Sequence, residues 1–493
     1  MARHPLEGGC NHSTTFRSMT SLERQSSFPN RCEPRVFRVF TQIRPRIGGR
    51  VTSSHMHSTE AVRHRAPPAI SRLLDPLEHL MLVDSRPDHP LCFFLECDVE
   101  GPLDEGRMRA ALLAAAARHP LIRSRIAWRG WRPHWLEPDV APPLIWHPDA
   151  ADEPWRSPDL SAESGVRLVV LAGVSPDRHR VILMVQHAVC DGLAALELLG
   201  DIWAGYAGLE PAPFSTGRRP GATIASPATT AADMRRDALA FSRFRPRPLA
   251  PVHGTHGATP VAGPLEPPYL TRTFARDLAA RLRRGATRRG ITLNDVVVTA
   301  AMRAAIEWNE RAAGEAGNVR MNMPVSLRAP GTRQPACNVL GYAFLDRTPE
   351  ACRDPEGLAQ SIATATRWIL ETHAAAEFLV GLRPVDRVPG LLRLLTRAPV
   401  CHATGVVSCP GDPSRRMRAG APKIDGCDAP GGVVIRDITG VPPLRPRTRV
   451  AIGATTYAGA LALCCTCSAG PNPHEAARRF LDLMQPELEA FAQ

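Results

Sequence analysis

Apolar positions along the first half of the chain follow two patterns. Some form continuous runs that are typical of buried strands, and others recur at the spacing of amphipathic helices. Residues 91–97 form a nearly continuous apolar run that predicts a buried strand. Asp104 can then cap a helix, whose apolar residues recur at helical spacing until Pro120 ends it. Residues 180–186 are apolar on both faces and predict a second buried strand, which an amphipathic helix over residues 192–206 follows directly.

The second half of the chain continues this mixture of elements. Residues 269–274 predict a strand, and Thr292 with Asp295 forms the pattern of a capping box at the start of a helix. Further strands are predicted at residues 319–327, 339–345, 404–408, 433–438 and 449–457, and a helix at 473–491. Helices and strands are interleaved and no internal repeat is visible, so the predicted class is α/β or mixed α+β.

The composition along the chain predicts four segments. Residues 1–66 are basic and lack apolar periodicity, so we expect a disordered leader. It resembles a transit peptide, but we favour an upstream stretch that is not translated, with Met56 as the true start. Residues 67–207 and 269–493 are expected to form an N-terminal and a C-terminal lobe, and residues 208–268, rich in Pro, Gly, Ala, Thr and Arg, to link them.

Composition and charge narrow the function classes. The chain has 493 residues, of which 44% are hydrophobic and 22% charged, and no apolar run of membrane-spanning length, so a cytoplasmic protein without a transmembrane segment is expected. The net charge of +12 is concentrated in residues 1–66, and Lys423 is the single lysine. Because the rest is only mildly basic and lacks interleaved aromatic residues, nucleic-acid binding is not expected.

The thirteen cysteines are scattered along the chain instead of forming a disulfide framework. The densest group, Cys464, Cys465 and Cys467, lies in an apolar run without a second ligand pair nearby. This pattern favours a buried strand over a zinc site, so no metal is expected.

Candidate chemistry is concentrated in the segment from Gln186 to Gly192, which contains the pattern H-x-x-x-D-G between a buried strand and a helix. A histidine fixed at a strand end can act as a general base, and His187 is the candidate. Asp191 can pair with an arginine and hold the turn, and Gly192 would allow tight turning where a Cβ would clash. The alternative is a buried core histidine and an aspartate that only caps the helix.

Over roughly residues 70–490 the sequence resembles a superfamily of acyltransferases. It contains chloramphenicol acetyltransferase, the condensation domains of peptide synthetases, the polyketide-associated acyltransferases and the wax ester or diacylglycerol synthases. Besides the motif at His187, the similar segments are 100–104, 110–112, 118–123, 290–297 and 323–328. The resemblance implies a two-lobed sandwich with an active-site tunnel between the lobes, and it makes Arg328 the partner of Asp191.

Two positions depart from the superfamily pattern. Gln186 replaces the first histidine of the motif H-H-x-x-x-D-G, although glutamine can still position the loop by hydrogen bonding. Ser408 is followed by Cys409 where relatives often have Asn, which removes a polar contact near the channel. We therefore treat Gln186 and Ser408, together with Arg328, as supporting residues.

The resemblance implies transfer of an acyl group from a thioester of coenzyme A or a carrier protein to an alcohol or amine. His187 would be the general base, and no tightly bound cofactor or metal is implied. The expected partners are a small-molecule acceptor and, where the donor is protein-bound, a carrier protein. Two alternatives remain: a catalytically silent condensation-like binding domain, and a wax ester or diacylglycerol synthase, which the segment 294–297 favours.

Overall fold

The structure, a computed structural model, describes residues 70–173, 175–215, 239–252 and 263–493. The expected leader (1–66) and much of the expected linker (208–268) lie outside these residues. Ala66–Gln493 group into one compact unit.

Helices and strands are interleaved along the chain, as the apolar patterns predicted. The strands are β1 (Ile70–Leu73), β2 (Cys92–Glu100), β3 (Ile126–Arg129), β4 (Arg132–Leu136), β5 (Leu144–Trp146), β6 (Val166–Ala172), β7 (Arg178–Gln186), β8 (Leu270–Phe274), β9 (Val319–Ser326), β10 (Leu340–Arg347), β11 (Gly405–Gly411), β12 (Lys423–Ile424), β13 (Cys427–Asp428), β14 (Val434–Val441), β15 (Val450–Tyr457) and β16 (Ala460–Cys467). The helices are α1 (Pro76–Asp84), α2 (Glu105–Arg118), α3 (Gly192–Tyr206), α4 (Arg276–Arg288), α5 (Leu293–Ala313), α6 (Pro355–Thr372), α7 (Glu377–Asp386), α8 (Leu391–Arg397), α9 (Ser414–Met417) and α10 (Pro473–Phe491).

Two mixed sheets organise the described residues. The first has the strand order β14-β2-β7-β6-β5, and the second has the order β10-β9-β11-β15-β16-β8. Strands β1, β3 and β4 form a small separate sheet, and β12 pairs with β13. The class is therefore mixed α/β with two principal sheets, as predicted.

One strand belongs to a different sheet from the strands on either side of it in the chain. Strand β14 lies between β11 and β15 in the chain, yet it pairs with β2 of the first sheet, with Ile438 opposite Cys97. The first sheet therefore contains a strand from residues 269–493, which the sequence analysis assigned as a whole to the second lobe. The lobe boundaries at 208 and 269 remain a prediction, and β14 is a strand from residues 269–493 that joins the first sheet.

Two predicted helix caps are present in the structure. The side chain of Asp104 accepts a hydrogen bond from the backbone N–H of Arg107 at the start of α2. Thr292 and Asp295 form a full capping box at the start of α5. These caps satisfy amide groups that have no partner within the first helical turn.

Each sheet has its own hydrophobic core. Helices α2 and α3 pack against each other beside the first sheet, and α5 and α10 pack together at the second. Cys464, Cys465 and Cys467 are buried in β16, which confirms the predicted strand. Among the described residues, no group of His, Cys, Asp and Glu has a metal-binding arrangement. In the same residues no helix is both long and apolar enough to cross a membrane.

Candidate active site

The motif histidine stands at the end of the central strand of the first sheet. Strand β7 ends at Gln186, and the backbone N–H of His187 still donates to the carbonyl of Leu91, at 2.9 Å. The side chain of Asp191 then caps α3 by accepting from the backbone N–H of Ala194 at 3.0 Å. Strand and helix thus fix both ends of the short turn that carries His187.

Asp191 and Arg328 form the buried ion pair that the resemblance implied. Nη1 of Arg328 donates to Oδ2 of Asp191 at 2.6 Å, and both side chains are almost fully buried. The same carboxylate oxygen accepts from the backbone N–H of Val339 at 2.7 Å. Burial acts to lower the pKa of Arg328, but the charge and hydrogen bond of Asp191 outweigh it and the pKa is raised. The ion pair joins the His187 turn to the loop between β9 and β10.

Gln186 acts on the backbone of the turn. Its side-chain Oε1 accepts from the N–H of Ala188 at 2.7 Å, and its side chain is buried. It does not line either of the two cavities beside His187. The structure thus gives Gln186 a contact that holds the loop.

Gly192 corrects one expectation. A Cβ at this position would meet no heavy atom within 4 Å, and the residue does not have a positive φ. The turn therefore does not require glycine for backbone reasons. Gly192 instead borders the larger cavity, where the absence of a side chain leaves space.

Asn338 is a residue that the sequence analysis missed. Its Nδ2 donates to the carbonyl oxygens of His187, at 2.9 Å, and of Ala188, at 3.1 Å. Its Oδ1 and the Nδ1 of His187 are both buried without a hydrogen-bond partner among the described residues. A single asparagine before an apolar strand carries no periodic signal, so no sequence pattern could have identified it.

The surroundings of His187 favour the neutral form of its imidazole. Burial lowers its pKa, and its own backbone, the charge of Asp191 and the side chain of Asn338 only partly oppose this effect. The ring packs edge-on against Phe93, with centroids 5.0 Å apart. A neutral imidazole can accept a proton at neutral pH.

Two cavities meet at His187. The larger has a volume of about 250 Å³ and is bordered by residues of β2, α3, β9, β11 and β14. The smaller, about 70 Å³, is bordered by residues of α1, β10 and α7. His187, Pro324, Pro442 and Pro443 line both. His187 therefore borders both cavities.

The larger cavity brings together most of the residues proposed from the sequence. Of these it is lined by His187, Asp191, Gly192, Arg328 and Ser408. Cys409 lines it too, and burial raises the pKa of its thiol to about 12, so the group stays protonated at neutral pH.

Thr439 of β14 also borders this cavity and was not anticipated. It is buried, and its Oγ1 has no hydrogen-bond partner among the described residues. An unpaired buried hydroxyl is costly unless a ligand or water satisfies it. Thr439 lies at this cavity because β14 pairs with β2, and no local sequence pattern predicts that pairing.

Comparison with known sequences gives remote relatives. No family profile matches the chain. It is 27% identical over 316 residues to the uncharacterized protein Rv2305 of Mycobacterium tuberculosis, which covers 61% of this chain and 72% of that protein. This identity is too low to assign a family.

Solved structures share the fold. Polyketide synthase associated protein 5 of Mycobacterium tuberculosis aligns over 87% of this chain and 99% of its own, with a TM-score of 0.56 and 17% identity. The trichothecene 15-O-acetyltransferase of Fusarium sporotrichioides aligns over 85% and 95%, with a TM-score of 0.61 and 13% identity. The starter condensation domain of rhizomide synthetase, in complex with C8-CoA and Leu-SNAC, aligns over 85% and 93%, with a TM-score of 0.56 and 17% identity. The chain therefore has the fold of condensation domains and of this acetyltransferase.

Proposed function

We propose that this protein is an acyltransferase that moves an acyl group from a thioester to a hydroxyl or amine, with His187 as general base. The observation that carries the proposal is the neutral, buried imidazole at the junction of two cavities. Such a position would let two substrates, one in each cavity, meet at one base, which a two-substrate transfer requires.

The proposed reaction uses Nε2 of His187, because in this proposal Nδ1 carries the hydrogen and donates it to Oδ1 of Asn338. Nε2 takes the proton of the acceptor O–H or N–H as the oxygen or nitrogen attacks the thioester carbonyl. A tetrahedral oxyanion forms, the C–S bond breaks, and the protonated imidazole returns the proton to the departing thiolate. The acyl product and a free thiol leave, and no cofactor is consumed.

Thr439 is the proposed donor to the oxyanion. Its hydroxyl is buried in the larger cavity without a partner among the described residues, so it is free to hydrogen-bond a developing negative charge. The remaining walls of this cavity are largely apolar, with Phe93, Leu193 and Leu196 among them. Such walls suit the acyl group of the donor.

The donor class in this proposal is a thioester of coenzyme A or of a carrier protein. The rhizomide synthetase domain, which shares the fold, was solved with C8-CoA and Leu-SNAC, and this supports a thioester donor. The acceptor class is a small alcohol or amine.

The proposal is tested by incubating the full chain with coenzyme A thioesters of increasing acyl length, alone and with alcohols and amines, while free thiol is measured. We expect thiol release that depends on the acceptor. A preference for long chains would favour a wax ester or diacylglycerol synthase. Thioester binding without thiol release for any donor and acceptor would instead support a silent binding domain, the alternative that Gln186 and Cys409 suggest.

A further inference from the structure

The surface from residue 383 to residue 400 exposes apolar side chains that a protein surface usually buries. This segment, which we call the α8 surface, includes the end of α7 and all of α8. Its large exposed apolar residues are Val388, Leu394, Leu395 and Val400. Leu394 is 68% exposed, the highest value among the exposed large apolar residues of the described chain. Clustered exposed apolar groups of this kind mark interaction sites.

The charges on the α8 surface are of one sign. Its exposed charged residues are Arg383, Arg387, Arg393 and Arg397. The one acidic residue of the segment, Asp386, is buried, and Oδ1 of its carboxylate lies 2.6 Å from Nδ1 of His79. The exposed part of the surface is therefore both apolar and cationic.

Helix α8 is apolar on two sides. Leu392 and Thr396 are buried, and the helix packs on α1 through this side. Leu394 and Leu395 lie about one turn after Leu391, away from the side that packs on α1, and both are exposed. The inner side completes the fold, whereas Leu394 and Leu395 remain 68% and 45% exposed.

We propose that the α8 surface docks onto an anionic lipid surface. Leucines that project between arginines match this partner, because the apolar groups enter the acyl boundary while guanidinium groups bind lipid phosphates. A nucleic acid would use the arginines but leave the leucines in water. An acidic protein is the competing partner, and the experiment below separates it from lipid.

The α8 surface lies beside elements that line the smaller cavity. Helix α8 packs on α1, which contributes Leu80 and Met81 to that cavity, and α7 contributes Phe378. Docking would place the smaller cavity near the lipid phase. If the proposed acyl transfer holds, a lipophilic substrate can then enter from the lipid, a consequence that rests on the proposed function.

The test is sedimentation of the full chain with vesicles of phosphatidylcholine, with or without phosphatidylglycerol. We expect binding to the anionic vesicles that weakens as salt is raised. Arg393→Ser with Arg397→Ser should lower the partition coefficient by at least about tenfold, since each arginine near an anionic surface contributes about fivefold. Leu394→Ser with Leu395→Ser should also lower it, because the apolar contact is lost.

Matched variants elsewhere control for charge and hydrophobicity. Arg283→Ser with Arg284→Ser removes two exposed arginines from α4, and Leu113→Ser removes an exposed leucine from α2. Both should bind like the parent chain. Equal binding by the α8 variants and these controls would overturn the proposal and point to another basic segment, such as residues 1–66.

Two further results would also overturn it. One is no vesicle binding by the parent chain. The other is that an immobilised acidic carrier protein retains the parent chain but not the α8 variants, while the parent chain does not bind vesicles. Because vesicle binding needs no thioester turnover, its failure is separate from failure of the proposed reaction.

Discussion

At the scale of single residues, Asp191 connects three parts of the chain. Its carboxylate accepts from Ala194 at the start of α3, from Val339 before β10, and from Arg328. Every one of these contacts turns the carboxylate toward protein groups. Asp191 therefore positions the turn that carries His187 and does not act on substrate in our account.

Breaking this pair should destabilise the fold strongly. Arg328→Met or Asp191→Asn leaves a buried partner uncompensated and should lower the free energy of unfolding by about 3 to 5 kcal/mol. Arg311→Met is the control, since Arg311 pairs with Glu307 on an exposed helix face and such pairs contribute less than about 1 kcal/mol. Urea unfolding measures all three. Similar losses for Arg328→Met and Arg311→Met would show that the buried pair is unimportant.

The pH dependence of the proposed reaction follows from the lowered pKa of His187. Because the neutral imidazole is the base, kcat/KM should fall with decreasing pH, and because the pKa is lowered, the midpoint should lie below the ordinary value of about 6.5. Asn338 acts to raise this pKa, so Asn338→Leu should move the midpoint to still lower pH.

Asn338→Leu should also reduce kcat/KM at the plateau, since the turn loses the hydrogen bonds that Asn338 donates to the carbonyls of His187 and Ala188, and Nδ1 loses its proposed acceptor. Ring ¹⁵N shifts of His187 should show the proton on Nδ1 in the parent chain and a mixture of tautomers in the variant. If the variant keeps the parent midpoint and tautomer, Asn338 only supports the backbone.

At the scale of elements, the predictions that succeeded rest on local patterns. The strand β7 followed by α3, and the caps at Asp104 and Thr292, were predicted because an apolar period and a cap are read within a few residues. The pairing of β14 with β2 was not predicted, because it joins segments far apart in the sequence. For the same reason Thr439 was missed, and Asn338 was missed because it belongs to no period.

The place where β14 passes β15 depends on the glycine at position 453. A Cβ at Gly453 would lie 1.7 Å from the carbonyl oxygen of Gly440, a contact that the backbone must move to relieve. Gly453→Ala should therefore destabilise the protein by about 1 to 3 kcal/mol or more.

Gly381→Ala in α7 is the control, because a Cβ there meets no atom within 4 Å and alanine favours a helix. Thermal and urea unfolding should show a loss for Gly453→Ala and none for Gly381→Ala. Equal stability of the two variants would contradict the close approach of β14 and β15.

At the scale of the whole molecule, the site depends on both sheets. His187 directly follows β7 of the first sheet, whereas Pro324 and Ser408 belong to β9 and β11 of the second, and all three border the larger cavity. The motif drew attention to His187 from the sequence, but the cavity residues opposite it are set by how the two sheets meet. The cavity walls could therefore not be predicted beyond the resemblance.

The most direct test of the account compares His187→Ala with His373→Asn, a change at an exposed histidine. Free-thiol release is followed with a thioester and an acceptor that the parent chain converts. Thioester binding is measured separately. Loss of the base should lower kcat by about 100-fold to 10,000-fold and leave binding nearly unchanged, because proton transfer acts in the transition state. His373→Asn should react like the parent chain. Full turnover by a folded His187→Ala variant would contradict the account.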